Sequence, residues 1–157
     1  MLYTSRYSNP ELKTRKYTAV RISLGSPKWN LGYDLSGEIN LLKPFGLLNK
    51  FEEYELFKDE YFKMLDRRGV YTIRKVINSF ERIGKDVVLL CYEDIRKPNN
   101  WCHRTAFTEW WLKNTGEVIN ELFDPTQVQA NGKTGLTASK AVFKNESKPL
   151  FEQLSFF

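Results

Sequence analysis

Val87-Val88-Leu89-Leu90-Cys91-Tyr92 is an uninterrupted apolar run, with Lys85-Asp86 before it and Glu93 after it. A strand buried on both faces of a parallel sheet has this composition, whereas a strand with one solvated face alternates apolar and polar residues. Apolar residues at helical spacing occur on both sides of the run. We therefore expect an α/β fold, a three-layer, Rossmann-like domain with a mostly parallel central sheet.

Helical periodicity and turn residues predict the other elements around this strand. Apolar spacing indicates helices over residues 51–65 and 70–83, the second ended by Gly84, and a further helix around Ala106, Phe107, Trp110 and Trp111. β-branched and aromatic residues predict strands at 2–7, 17–24 and 118–123. Residues 27–44 lack periodicity and are predicted to form an irregular surface loop.

The 157-residue length suits one domain. We assign residues 1–126 to the α/β domain and residues 127–157, which are rich in Gly, Ser, Thr and Lys, to an extended tail. The formal charge of +5 permits an anionic partner.

Composition also bears on location. No apolar run approaches the roughly 20 residues that cross a bilayer, and the amino terminus turns polar at once, so we expect neither a membrane span nor a secretory signal. Two cysteines are too few for a disulfide scaffold. A cytoplasmic protein with free thiols is expected.

The candidate site is Trp101-Cys102-His103-Arg104, between the carboxyl end of the buried strand and the first turn of a predicted helix. Parallel sheets bind ligands in that crevice, and a helix amino terminus favours anions and thiolates. We predict Cys102 as a nucleophile, His103 as an acid/base group or donor, and Arg104 as an anion clamp. Glu93, at the end of the preceding strand, is the carboxylate that we expect to lie nearest to these residues.

Structural roles are the alternative for these residues, because cysteine is often a small buried apolar residue. Cys91, inside the predicted strand, is expected to belong to the core. Cys91, Cys102 and His103 are zinc-ligand types, but a fourth ligand and the usual paired short spacing are missing. We therefore predict no metal site, and no cofactor.

Several segments together resemble the family of domains of unknown function numbered 488: Tyr3-Thr4-Ser5, Ser23, Pro27-Lys28-Trp29, residues 86–93 reading DVVLLCYE, and Cys102-His103-Arg104 before a Trp-containing helix. The match covers roughly residues 1–115, and the sequence departs from it at Leu24, where relatives often carry Arg. The resemblance implies functional roles for Glu93, Cys102, His103 and Arg104. It also makes Thr4, Ser5, Lys28 and Trp29 candidate substrate-binding residues, but it implies no particular reaction.

Lys28 and Trp29 fit ligand binding in their own right, since Trp can stack on a base and Lys can meet a phosphate. A loop tryptophan tucked against the core is the alternative. Trp110 and Trp111 are expected to be the core and rim of a packed helix.

The carboxyl-terminal Gln153-Leu154-Ser155-Phe156-Phe157 resembles the peptide by which bacterial polymerases and repair proteins bind the DNA sliding clamp. In that resemblance Gln153 contacts the pocket rim, while Leu154, Phe156 and Phe157 fill an apolar pocket. Phe156 stands where Leu is commoner. A tail folded onto its own domain is the alternative.

These features predict an enzyme that acts on DNA, or on a nucleotide or base, recruited by the sliding clamp. The reaction, whether hydrolysis, base removal or transfer, is left open. One alternative is a non-catalytic adaptor of phage or mobile-element origin that binds the clamp or a nucleotide. Another is a small-nucleotide enzyme whose tail is incidental.

Overall fold

The computed structural model describes residues 1–128, and the fold is reported for these residues. The elements follow in the order β1 (Leu2–Arg6), β2 (Tyr17–Arg21), β3 (Gly37–Glu38), α1 (Tyr54–Arg68), α2 (Val70–Glu81), β4 (Asp86–Cys91), α3 (His103–Thr115) and β5 (Asn120–Glu121). Short 3-10 helices cover Pro10–Thr14 and Asn40–Leu42. The α/β class expected from the sequence is confirmed. Within residues 1–128, no helix is long and apolar enough to cross a membrane.

The five strands form one parallel sheet in the order β3-β2-β4-β1-β5. The apolar run forms β4, which pairs with β1 on one side and with β2 on the other. From Val87 to Cys91 every residue of β4 is buried, as expected for a strand that lies between two others and is covered on both faces. Because all strands run parallel, the carboxyl ends of β1, β2 and β4 lie at one edge of the sheet.

The three α-helices pack on one face of this sheet. Successive side chains of a strand point to opposite faces. Val87 and Leu89 of β4 share a buried cluster with Phe57 of α1, Ile73 of α2 and Phe107 of α3. Both Trp110 and Trp111 are buried in that cluster, so the prediction that they belong to a packed helix is confirmed.

Loop and 3-10 residues cover the opposite face. Val88 and Leu90 pack there with Leu12 of the first 3-10 helix and with Tyr7 and Tyr33. Among the described residues, no α-helix contributes to this second cluster. The mostly parallel sheet is thus confirmed, but the three-layer arrangement is not.

Residues 27–44, predicted to be irregular, contain a strand. Gly37 and Glu38 form β3 against Val20 and Arg21 of β2. A Cβ at Gly37 would lie 2.9 Å from the Phe80 ring of α2, so a larger residue there would force that ring to move. A strand of only two residues is too short to produce a recognisable alternating pattern.

Candidate functional site

A pocket of about 200 Å³ opens at the carboxyl edge of β2 and β4. Residues 23–25, which follow β2, line it together with residues 91–93 from the end of β4 and residues 101–103 at the start of α3. This is the crevice in which parallel α/β sheets bind ligands. The structure therefore brings Glu93, Cys102 and His103 to one pocket, as the sequence predicts.

Aromatic side chains form much of the pocket wall. Phe51, Phe57, Tyr92 and Trp101 line it. The Phe57 and Trp101 ring centroids lie 4.9 Å apart, and Cys91, Cys102 and Glu93 line the same pocket. The pocket therefore has an apolar wall with a few polar groups, which is the usual composition of a small-molecule site.

His103 is the centre of the polar cluster. Its Nε2 lies 2.8 Å from the carbonyl oxygen of Ile22. A carbonyl only accepts hydrogen bonds, so Nε2 carries the proton and, in the neutral ring, Nδ1 has the free lone pair. Nδ1 lies 3.6 Å from Cys91 Sγ and 3.8 Å from Cys102 Sγ. The imidazole therefore directs an acceptor at both thiols.

The two thiols differ in acidity. Burial opposes ionisation of Cys102, but a hydrogen bond from Cys91 and the positive charge of Arg104 outweigh it, so the pKa of Cys102 lies well below its usual value. That hydrogen bond, together with burial, raises the pKa of Cys91 well above its usual value. Cys102 is therefore the more acidic of the two thiols, and Cys91 is the donor in the hydrogen bond between them.

Glu93 supplies a carboxyl group that titrates near neutrality. Burial and the negative charge of Cys102 raise the pKa of Glu93 to about 7. Its Oε1 lies 3.5 Å from Cys91 Sγ. A carboxyl group with this pKa can both donate and accept a proton at neutral pH, which is what acid/base catalysis requires.

Arg104 does not line the pocket, although the sequence suggests an anion clamp. Its side chain is fully buried, and its Nε and Nη2 donate to the Glu121 carboxylate at 3.1 and 2.8 Å. Nη2 also donates to the Glu93 carbonyl at 2.8 Å, while Nη1 has no partner among residues 1–128. The guanidinium is thus committed within the chain, where it ties α3 to β5 and to Glu93, the second residue after β4.

The hydroxyls of Thr4 and Ser5, which the family resemblance makes candidate substrate contacts, are also committed. Thr4 Oγ1 donates to Glu121 at 2.6 Å, and Ser5 Oγ accepts from Asn9 Nδ2 at 3.1 Å. Both residues are buried, and neither lines the pocket. The structure does not bring them to the thiol cluster.

Trp29 lies near the pocket without lining it. It is half exposed, with its ring centroid 6.0 Å from that of Tyr92, a wall residue, and 6.5 Å from that of Tyr7. Lys28 is exposed and does not line the pocket. A ligand longer than the pocket would meet Trp29 after Tyr92.

Sequence reasoning assigned Cys91 to the core and missed its place in the site. The residue is buried as predicted, but its sulfur faces Glu93 and His103 and it lines the pocket. Its position as the last residue of β4 was the available signal, because the carboxyl ends of parallel strands face the ligand. Ser23 similarly follows β2 and lines the pocket.

The cluster also satisfies the requirement of a metal site for converging ligands. Cys91 Sγ, Cys102 Sγ and a His103 ring nitrogen all lie within 4.8 Å of one another. The spacing in sequence gave no such indication. Cys91 precedes Cys102 by eleven residues in the sequence, and Cys102 and His103 are adjacent. The structure brings the ligand atoms of all three residues together.

The predicted clamp-binding residues Gln153, Leu154, Phe156 and Phe157 lie outside the described residues. No family model matches the chain, and neither a curated protein nor a solved structure is significantly similar to it. The resemblance to the domains numbered 488 accordingly remains a prediction from the motifs quoted for it.

Proposed function

We propose that this protein is a thiol-dependent enzyme that acts on a nucleotide or nucleobase, either free or within DNA. The observation that carries the proposal is the convergence of Cys102, His103 and Glu93 in an aromatic-walled pocket at the carboxyl edge of the sheet. A nucleophile, an acceptor and a carboxyl group that titrates near neutrality are the parts of a covalent displacement reaction.

The ligand class follows from the shape of the pocket and from its walls. Its volume of about 200 Å³ is below the roughly 300 to 1,000 Å³ of sites for drug-sized ligands. Phe51, Phe57, Tyr92 and Trp101 offer ring faces and edges to a planar group. Stacking on an aromatic side chain contributes about 1 to 3 kcal/mol per base. A single base suits these features, with any attached sugar and phosphate extending towards Trp29.

The roles of the residues follow from their protonation. The Cys102 thiolate attacks an electrophilic carbon of the substrate and forms a carbon–sulfur bond. The bond to the leaving group breaks, and the leaving group takes a proton from the Glu93 carboxyl. Water then cleaves the carbon–sulfur bond, with the Glu93 carboxylate accepting its proton, and the Cys102 thiolate is regenerated. Nδ1 of His103 lies beside both sulfurs, and its Nε2 donates to the Ile22 carbonyl, which fixes the orientation of the ring.

Recruitment by a bacterial sliding clamp is the second part of the proposal. It is supported by the sequence Gln153-Leu154-Ser155-Phe156-Phe157 and by its position after a polar segment. Clamp binding would direct the reaction to newly replicated DNA in the cytoplasm. The same sequence favours the alternative, an adaptor that binds the clamp without catalysis.

One experiment separates enzyme from adaptor. The purified full chain is incubated with nucleotides and with oligonucleotides that carry modified bases, and mass spectrometry follows both substrate and protein. An enzyme is expected to convert one member of the panel and to show a transient adduct on Cys102, both lost in Cys102→Ser. Glu109→Gln is the matched control, because Glu109 is a carboxyl group with a raised pKa that does not line the pocket.

Unchanged conversion by Cys102→Ser would eliminate the nucleophile. If neither conversion nor an adduct occurs with any substrate while clamp binding persists, the adaptor is the function.

A further inference from the structure

Two distances within the cluster of Cys91, Cys102 and His103 match the edges of a tetrahedral zinc site. Zn–S bonds of about 2.3 Å and Zn–N bonds of about 2.0 to 2.1 Å imply sulfur-to-nitrogen edges of about 3.6 Å. The corresponding distances from His103 Nδ1 are 3.6 Å to Cys91 Sγ and 3.8 Å to Cys102 Sγ. Both sulfur-to-nitrogen separations are thus those that a bound cation would impose, and all three ligand atoms lie within 4.8 Å of one another.

More sulfur converges on His103 Nδ1 than one hydrogen bond to that nitrogen can use. Nδ1 has one lone pair in the ring plane, and two sulfur atoms face it. A single S–H group can use that lone pair, whereas a cation can accept electrons from the nitrogen and from both sulfurs. The convergence of these atoms therefore favours a metal over a purely hydrogen-bonded cluster.

The surroundings of His103 have the form found around metal ligands. A ligating histidine almost always donates its other ring N–H to a carboxylate, a backbone carbonyl or water, which fixes the tautomer. Here Nε2 donates to the Ile22 carbonyl at 2.8 Å. The Tyr61 and His103 rings pack perpendicular to one another, with the ring planes at 88° and the centroids 5.8 Å apart. The ring is thus held with Nδ1 towards the sulfurs.

Glu93 is the carboxylate next to this three-residue cluster, although it lies outside the set of ligand atoms that are all within 4.8 Å of one another. Its Oε1 lies 3.5 Å from Cys91 Sγ, close to the sulfur-to-oxygen edge of about 3.6 Å expected for Zn–O bonds of about 2.0 to 2.2 Å. Two thiolates, one imidazole and one carboxylate form a ligand set that suits zinc. All four residues line the pocket, so an ion can reach them from solvent.

We propose that Cys91, Cys102 and His103 hold a Zn²⁺ ion and that the neighbouring Glu93 carboxylate closes onto it as the fourth ligand. Occupation of the site ties up the Cys102 sulfur, so the metal-bound protein cannot use it as a nucleophile and zinc restrains the thiol chemistry. Binding is independent of the proposed function, since it requires only that these four groups converge.

Cobalt(II) is the probe, because thiolate ligation gives a charge-transfer band in the near ultraviolet and tetrahedral geometry gives intense visible bands. The full chain is titrated with Co²⁺ in the presence of a phosphine reductant, which keeps both thiols reduced. Both sets of bands are expected to saturate at one ion per chain, and Zn²⁺ should displace the Co²⁺. A spectrum without the charge-transfer band would overturn the proposal.

Variants assign the ligands. Cys91→Ser and His103→Gln should each lose the tetrahedral spectrum, whereas Glu93→Gln should keep the thiolate band and bind about tenfold or more weakly, as expected for altered metal surroundings. Glu109→Gln should match the wild type. Circular dichroism of each metal-free variant identifies any that fails to fold, and Glu93→Gln then serves as the ligand test. A wild-type spectrum in Glu93→Gln at unchanged affinity would remove the fourth ligand.

Alkylation separates this inference from the enzymatic one. Zn²⁺ should slow iodoacetamide labelling of Cys102, and a chelator should restore it. If the Co²⁺ bands and the protection of Cys102 by Zn²⁺ are observed without any substrate turnover, the enzymatic function is refuted and the zinc site stands. Turnover through a Cys102 adduct, without Co²⁺ bands or protection by Zn²⁺, would do the reverse.

Discussion

Replacing Arg104 with Met tests whether this guanidinium stabilises the fold or binds a ligand. The wild-type side chain is fully buried and makes two hydrogen bonds to Glu121 and one to the Glu93 carbonyl. In Arg104→Met the Glu121 carboxylate keeps only the Thr4 hydroxyl, which donates at 2.6 Å. The substitution thus removes one partner of a buried pair and leaves the other charge behind.

The size of the expected stability loss follows from the burial of the Glu121 carboxylate, which has lost its partner. Removing one partner of a buried ion pair lowers the free energy of unfolding by about 3 to 5 kcal/mol. The side chain of Glu121 is 19% exposed and can recover some hydration, so we expect the lower end, a loss of about 3 kcal/mol in the free energy of unfolding. Adding Glu121→Leu to Arg104→Met should recover part of the loss, because the uncompensated charge is then gone.

Urea denaturation followed by circular dichroism measures the effect. Arg74→Met is the matched control, since Arg74 pairs with Glu117 at the surface, where both side chains are more than a third exposed. An exposed pair contributes at most about 1 kcal/mol, so this variant should stay close to the wild type. Equal, small losses in the two variants would refute the structural role of Arg104. A loss of phosphate affinity at unchanged stability would restore the anion clamp.

Three further outcomes are expected. Iodoacetamide at neutral pH should label Cys102 before Cys91, because the pKa of Cys102 is lowered and that of Cys91 is raised. Peptide mass mapping measures the order of labelling, and faster labelling of Cys91 would reverse the assignment. Burial raises the pKa of Glu109 from 4.5 to about 7, so the folded state holds this proton more tightly and its contribution to stability should decrease as pH rises from about 4.5 to about 7. In urea titrations across that window Glu109→Gln should lose stability less steeply than the wild type, and parallel slopes would show that Glu109 is not the cause. Deleting residues 153–157 should leave the thermal midpoint nearly unchanged and abolish pull-down by a bacterial sliding clamp, whereas a much lower midpoint would indicate a tail packed on its own domain.

The candidate site could be predicted in part because two of its features are local. Cys102 and His103 stand where α3 begins, and helix periodicity placed that boundary. Glu93 follows the apolar run directly, so its position beyond the carboxyl end of β4 followed from that run. The aromatic wall was harder to foresee. Phe51 and Phe57 carried only helical spacing, which indicates core and gives no indication of a pocket.

The roles of Thr4 and Arg104 depend on a distant partner. Both bind Glu121, at separations of 117 and 17 residues along the chain. The two-residue strand β5 that carries Glu121 pairs with β1, a contact that no local pattern encodes. Without that partner, a polar side chain near a helix start is equally compatible with ligand binding and with an internal ion pair.

The amino-acid sequence by itself determined the α/β class, the buried central strand and the helix that starts at His103, because each depends on the polarity of neighbouring residues. Only the tertiary structure decided that Cys91 joins Cys102 and His103, that the Ile22 carbonyl fixes the imidazole, and that all three α-helices share one face. Periodicity depends on neighbours within one or two turns. The neighbours of a side chain at the end of a strand, by contrast, are set by strand pairing and loop closure. Both of these bring together residues that are far apart in the chain.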